Sequence, residues 1–114
     1  MATLTWSHLE SEEQLQAAIE ESHDRPVVFF KHSTRCSISF MALDRMNGES
    51  ALNEKDAGLY YLDLLKFRNL SNKIEELFEV RHESPQMIVL RNGVVVHHSS
   101  HGAIRPTTVL DLVA

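Results

Sequence analysis

The chain has 114 residues, 43% of them hydrophobic and 24% charged, which fits a single globular domain, residues 1–114, with enough apolar side chains for a core. The formal net charge of −5 argues against binding to nucleic acid, which needs clustered Lys and Arg. The single cysteine excludes both an internal disulfide and a cysteine-rich zinc site.

The sequence also bears on the compartment. No apolar run approaches the about 18 residues of a membrane-spanning helix, and the first residues lack the basic start and apolar stretch of a signal peptide. A single cysteine fits a reducing compartment. We therefore expect a cytoplasmic protein with no membrane partner.

Short apolar runs alternate with segments of helical periodicity along the chain. Ser11 and Gln14 have the spacing of a helix capping box, and Asn92-Gly93 between two apolar runs is a strong hairpin signal. In chain order, the predicted elements are a strand at 3–6, a helix from 11 to about 24, a strand at 27–30, a helix from about 36 to 48, a strand at 59–63, a helix from about 69 or 71, strands at 87–90 and 94–96, and a last helix from Pro106.

This order predicts an α/β fold. The first half alternates strands and helices, for which right-handed crossovers are expected, and the second half closes with an antiparallel hairpin and a helix. The unbroken apolar run at 27–30 suits a central strand that is covered on both faces. The pattern is that of a thioredoxin-like fold, a central mixed β-sheet flanked by helices. The apolar positions of the second helix are Ile38, Phe40, Met41, Leu43 and Met46.

Cys36 lies where the predicted central strand gives way to the second helix, after a polar and basic stretch. This is the layout of the redox loop in thioredoxin-like proteins, except that Ser39 takes the place of the second cysteine. A lone thiol cannot close an internal disulfide, but it can attack one and carry the partner as a mixed disulfide. Many lone cysteines are buried structural side chains, whereas the polar neighbours Arg35 and Ser37 favour a reactive thiol here.

Three features favour the thiolate of Cys36, which is the nucleophilic form. The N-terminus of a helix stabilises negative charge. The hydroxyl of Ser39, one helical turn further on, is expected to donate a hydrogen bond to the sulfur. Arg35, Lys31 and His32 are expected to supply positive charge nearby.

Other polar residues carry weaker signals. His32 either tunes the thiol or has a structural role in the loop, and Asp63 is either a buried acid that assists proton transfer or a cap for the next segment. His97 and His98 are adjacent on a predicted strand and therefore point to opposite faces. We expect no metal site.

The segment Thr34-Arg35-Cys36-Ser37-Ile38-Ser39 resembles the Thr-Arg-Cys-Pro-Ile-Ser loop of the monothiol bacilliredoxins, a family of thioredoxin-like proteins. The stretches 27–33, 81–86 and 91–93 match the same family, so the resemblance covers nearly the whole chain. One departure is Ser37, because the family commonly has a proline there that stiffens the loop.

The resemblance implies a role with bacillithiol, a low-molecular-weight thiol that proteins of certain bacteria acquire as a mixed disulfide under oxidative stress. Cys36 would attack that disulfide and take up the bacillithiol. Ser39 cannot resolve the adduct, so bacillithiol or another redoxin would have to release it. The implied catalytic residues are Cys36 and Ser39, the partners are bacillithiolated proteins, and bacillithiol is a co-substrate without any tightly bound cofactor.

The implied substrate-binding residues are Arg35, Ser84 and Pro85. In thioredoxin-like folds the proline before the hairpin strand is cis and faces the cysteine, which would leave the backbone of Ser84 free to pair with an extended substrate. Arg35 would attract the carboxylates of bacillithiol. Two rival functions remain, a thiol sensor or adaptor that does not turn over, and a cysteine peroxidase that forms a sulfenic acid at Cys36.

Overall fold

A computed structural model describes residues 6–48, 57–104 and 108–109. Within these ranges, three α-helices flank one five-stranded β-sheet. The elements are β1 (Ser7–His8), α1 (Glu12–Glu21), β2 (Val27–His32), α2 (Ser37–Gly48), β3 (Gly58–Asp63), α3 (Arg68–Phe78), β4 (Gln86–Arg91) and β5 (Val94–Ser100). None of the described helices is long and apolar enough to cross a lipid bilayer.

The sheet has the strand order β1-β3-β2-β4-β5, so β2 lies at its centre. β2 runs parallel to β3, with His32 opposite Asp63, and antiparallel to β4, with Lys31 opposite Gln86. At the two edges, β1 pairs with β3 in parallel and β5 pairs with β4 in antiparallel orientation. The predicted α/β class, with a central mixed sheet and flanking helices, is confirmed.

β2 is buried along its whole length, which is the environment that its apolar run predicts. Because side chains alternate across a strand, β2 contributes to two separate cores. Val28 and Phe30 pack with Ala42 and Met46 of α2. The opposite core contains Val27 and Phe29 of β2, Leu15 and Ala18 of α1, and Leu70 and Ile74 of α3.

Helix α2 leaves three of its apolar residues at the surface. Ile38, Phe40 and Met41 are exposed at 53%, 46% and 61%. The helix presents one narrow stripe to the sheet, and this stripe runs from Ser39 to Met46, seven residues apart on the same face. The polar residue Ser39 is therefore the first buried residue of α2, and its apolar neighbours Ile38 and Phe40 lie at the surface.

Some predicted boundaries shift and others cannot be compared. β5 continues to Ser100 instead of ending at Val96, because its polar second half still pairs with β4. The strand predicted at 3–6 falls mostly outside the described residues, and the edge strand of the structure is Ser7–His8. The helix predicted from Pro106 also lies outside the described residues, apart from positions 108 and 109.

Candidate active site

Cys36 lies immediately before α2, at the end of the loop that leaves β2. Its backbone N–H donates to the carbonyl of Ser33 at 3.2 Å, and its own carbonyl accepts from the N–H of Phe40 at 3.3 Å, so Cys36 is the N-cap of the helix. The residue is half-buried. A helix start offers unpaired N–H groups and the positive end of the helix dipole, both of which stabilise an anion such as a thiolate.

Ser39 connects the Cys36 loop to the end of β2 through its side-chain hydroxyl. The side chain is fully buried, and its hydroxyl oxygen accepts a hydrogen bond from the backbone N–H of Ser33 at 3.1 Å. The same oxygen lies 2.6 Å from Nδ1 of His32. The expected hydrogen bond from Ser39 to the Cys36 sulfur is not among the contacts of the described residues. The contacts of Ser39 instead fix the path of the loop that carries the thiol.

His32 is a buried ring at the end of β2. Its centre lies 4.5 Å from that of Phe40, which meets it edge-on, and 5.4 Å from that of Tyr61. Burial lowers the pKa of His32 below its usual value, and the charge of Asp63 opposes this shift, so the neutral ring is favoured. Its Nε2 atom has no hydrogen-bond partner in the described part of the chain. These contacts connect His32 with Ser39, which favours the structural role among the two that the sequence leaves open.

The sequence predicts Lys31 as a cation beside the thiol, but the structure places it elsewhere. Lys31 precedes His32 in β2 and therefore points to the opposite face of the sheet. Its side chain is fully buried, and Nζ lies 3.3 Å both from Nδ1 of His82 and from the carbonyl oxygen of Ser71, to which it donates. Burial lowers the pKa of Lys31 to about 8, although the negative charge of Glu75 acts to raise it.

The buried Lys31 makes stability depend on pH. In the unfolded chain its pKa has the ordinary value of 10.5, whereas in the folded protein it is about 8. Between these values the unfolded state holds more of the proton, so folding stability rises with pH and the penalty for burying the charge is fully present only below about pH 8. We expect the free energy of unfolding of the parent, relative to that of Lys31→Met, to increase between pH 7.5 and pH 10 in urea titrations. A constant difference across this range would contradict the prediction.

Ser84 and Pro85 come directly before β4, at the end of the sheet that carries the Cys36 loop. Because Gln86 lies opposite Lys31, the register places Pro85 level with the last residue of β2. The Ser84–Pro85 peptide bond is cis, and the hydroxyl of Ser84 has no hydrogen-bond partner among the described residues. The fold thus brings two predicted substrate-binding residues to the same end of the sheet as the thiol.

An open cleft of about 400 Å³ adjoins the loop. Thr34 and Arg35 line it from the loop, Asp63 lines it from the end of β3, and Leu65 and Lys66 line it from the turn that follows. Oδ1 of Asp63 accepts the backbone N–H of Leu65 at 3.1 Å and that of Lys66 at 3.3 Å, so Asp63 caps this turn, which was one of its two open roles. Leu65 and Lys66 belong to no motif in the sequence, and only the pairing of β2 with β3 brings them beside the loop.

Residues 7–109 match the monothiol bacilliredoxin BrxC family. The chain belongs to this family. The matched range contains the Cys36 loop, the cleft and the Ser84–Pro85 segment, and the resemblance inferred from the sequence is confirmed. Family and fold together indicate a thiol oxidoreductase, and one cysteine in the chain agrees with the monothiol type of bacilliredoxin.

Solved structures give the same fold. A provisionally assigned oxidoreductase with a thioredoxin fold is 36% identical to this chain, with a TM-score of 0.78 over 91% of this chain and 89% of that one. Thioredoxin from Malassezia sympodialis is 15% identical, with a TM-score of 0.73 over 99% of this chain and 91% of that one. Thioredoxin O2 from Arabidopsis thaliana is 18% identical, with a TM-score of 0.72 over 94% and 92%. The likeness to the two thioredoxins concerns the fold alone.

Proposed function

We propose that the protein is a monothiol oxidoreductase that removes bacillithiol from protein mixed disulfides through Cys36. The observation that supports this most is the position of the single cysteine, half-buried at the N-cap of α2, in a bacilliredoxin family member. The proposal includes a cytoplasmic setting, where low-molecular-weight thiols keep cysteines reduced. It requires no tightly bound cofactor, because bacillithiol itself is the co-substrate.

The reaction is an exchange of disulfide partners. The Cys36 thiolate attacks the bacillithiol sulfur of the mixed disulfide, a new bond joins Cys36 to bacillithiol, and the protein sulfur leaves as a thiolate that takes up a proton. A second thiolate, from bacillithiol or another redoxin, then attacks the adduct and leaves with the bacillithiol as a disulfide. Cys36 is released as a thiolate. Overall, one disulfide, between bacillithiol and the second thiol, replaces the protein mixed disulfide, and the proton lost by the second thiol equals the one taken up by the protein sulfur.

The surrounding residues have separate roles in this proposal. The start of α2 stabilises the thiolate, and Ser39 holds the loop in the conformation that presents it. The backbone of Ser84, beside Pro85, pairs with an extended segment of the bacillithiolated protein. Arg35, which is exposed next to Cys36, attracts the carboxylates of bacillithiol.

Intact-mass analysis after mixing with bacillithiol disulfide tests the proposal. We expect the parent protein to gain the mass of one bacillithiol, and Cys36→Ala to gain none. A gain in both proteins, or in neither, would remove the proposal.

A sensor or adaptor function is the alternative, and the exposed side chains of Ile38, Phe40 and Met41 beside Cys36 favour it, because they offer an apolar surface to a partner. Turnover separates the two functions. An enzyme strips a bacillithiolated protein repeatedly when a reducing thiol is supplied, whereas a sensor stops after one equivalent.

A further inference from the structure

The cleft beside the Cys36 loop is lined by three charged side chains, those of Arg35, Asp63 and Lys66, together with Thr34 and Leu65. We call it the charged cleft. Its two sides are held together by the parallel pairing of His32 with Asp63 and by a hydrogen bond from the N–H of Leu64 to the carbonyl of His32 at 3.0 Å. The turn at 64–66 therefore has a fixed position beside the loop that carries the thiol.

The charges in the cleft are available to a ligand. In the described part of the chain, no carboxylate lies within 4.0 Å of the charged nitrogens of Arg35 or Lys66. Lys66 Nζ lies 5.7 Å from the centre of the Phe67 ring, which leaves its N–H groups free to donate elsewhere. Asp63 uses Oδ1 for the turn, while its Oδ2 makes no hydrogen bond to another described residue. Two cations thus share one cleft in a chain whose net charge is −5.

We propose that the charged cleft binds the body of the small thiol that is exchanged at Cys36, and that Lys66 and Asp63 select it by charge. The ligand class is a low-molecular-weight thiol that carries carboxylates for Arg35 and Lys66 and an ammonium group for Oδ2 of Asp63. The apolar side chain of Leu65 covers the methylene groups between them. The inference rests on the proposed function and adds to it the residues that recognise the small partner.

Size and position fit this role. Pockets for small ligands typically have volumes of about 300–1,000 Å³, and the charged cleft has about 400 Å³. Thr34 and Arg35 directly precede Cys36, so the cleft adjoins the loop that ends at the thiol. Bacillithiol and glutathione both carry carboxylates and an ammonium group, whereas 2-mercaptoethanol carries neither.

The test compares three mixed disulfides of one reporter protein, made with bacillithiol, glutathione and 2-mercaptoethanol. We expect Lys66→Ala and Asp63→Asn to lower kcat/KM for a charged thiol about fivefold, the effect of one exposed ion pair, and to leave the rate with 2-mercaptoethanol within about twofold of the parent. Asp63→Asn keeps a side-chain oxygen for the cap of the turn. Lys73→Ala is the matched control, since this lysine of α3 pairs with Glu12 of α1 and does not line the cleft, and it should change no rate.

The outcomes separate the inference from the function. A loss with bacillithiol alone, or with bacillithiol and glutathione together, supports the inference and tells which thiol the cleft prefers. Equal losses with all three disulfides, or no loss in Lys66→Ala, overturn the inference while the function stands. A parent protein that accepts none of the three thiols overturns the proposed function as well.

Discussion

Replacing Cys36 with serine is expected to abolish the removal of bacillithiol, lowering kcat/KM by about 10³-fold or more, as the loss of a catalytic nucleophile does in other enzymes. The chain has no second sulfur nucleophile, since Cys36 is its single cysteine. Serine is itself a preferred N-cap residue, so the variant keeps the start of α2 and should fold as the parent does. The measurement is the rate at which bacillithiol leaves a bacillithiolated reporter protein in the presence of a reducing thiol.

Ser37→Ala is the matched control for this variant. Ser37 is exposed and adjacent to Cys36, and its removal takes away a hydroxyl without touching the sulfur. We expect the control to retain activity within a factor of about three, an effect below about 0.7 kcal/mol on the barrier. If Cys36→Ser kept more than a tenth of the parent activity, chemistry at this sulfur would not be the route of the reaction.

Replacing Ser39 with alanine is expected to lower the free energy of unfolding by about 2 kcal/mol, because a buried polar group left without its partner costs about 1–3 kcal/mol. The hydroxyl serves two neighbours, the N–H of Ser33 and Nδ1 of His32. His32 is buried and cannot turn to water for a new partner. Urea unfolding monitored by circular dichroism measures the effect.

Ser37→Ala is again the comparison, because the same atom is removed from an exposed position, where the change should stay within about 0.5 kcal/mol. A second measurement addresses the thiol. With both variants folded, we expect the alkylation of Cys36 at a fixed pH to slow several-fold in Ser39→Ala and not in Ser37→Ala. Equal unfolding midpoints for Ser39→Ala and the parent would show that the buried contacts of this hydroxyl do not hold the loop.

Much of the fold follows from local pattern. The unbroken apolar run at 27–30 identifies the central strand, and the polar loop after it identifies the start of α2 at Cys36, because both signals lie within a few consecutive residues. Asn92-Gly93 likewise marks the hairpin between β4 and β5, where both residues adopt a positive φ that this turn requires. Such features need no information from distant parts of the chain.

Other features of the site depend on how distant segments meet. Lys66 enters the charged cleft only through the parallel pairing of β2 with β3, and its own neighbours in the sequence carry no sign of this. The sequence also does not indicate that Ser39 is buried, because the apolar residues on either side of it are better candidates for the buried face of α2. Lys31 is an instructive exception, since strand alternation alone separates its side chain from that of His32.

The hydroxyl of Ser39 joins the last residue of β2, the first residue of the loop and the first turn of α2 through a single oxygen atom. A segment pinned in this way has little freedom to reshape itself when the sulfur gains or loses a bulky substituent. An incoming substituent on the sulfur must then be accommodated by the residues that face Cys36. These facing residues, and not movement of the backbone that carries the thiol, therefore determine which substrates are accepted.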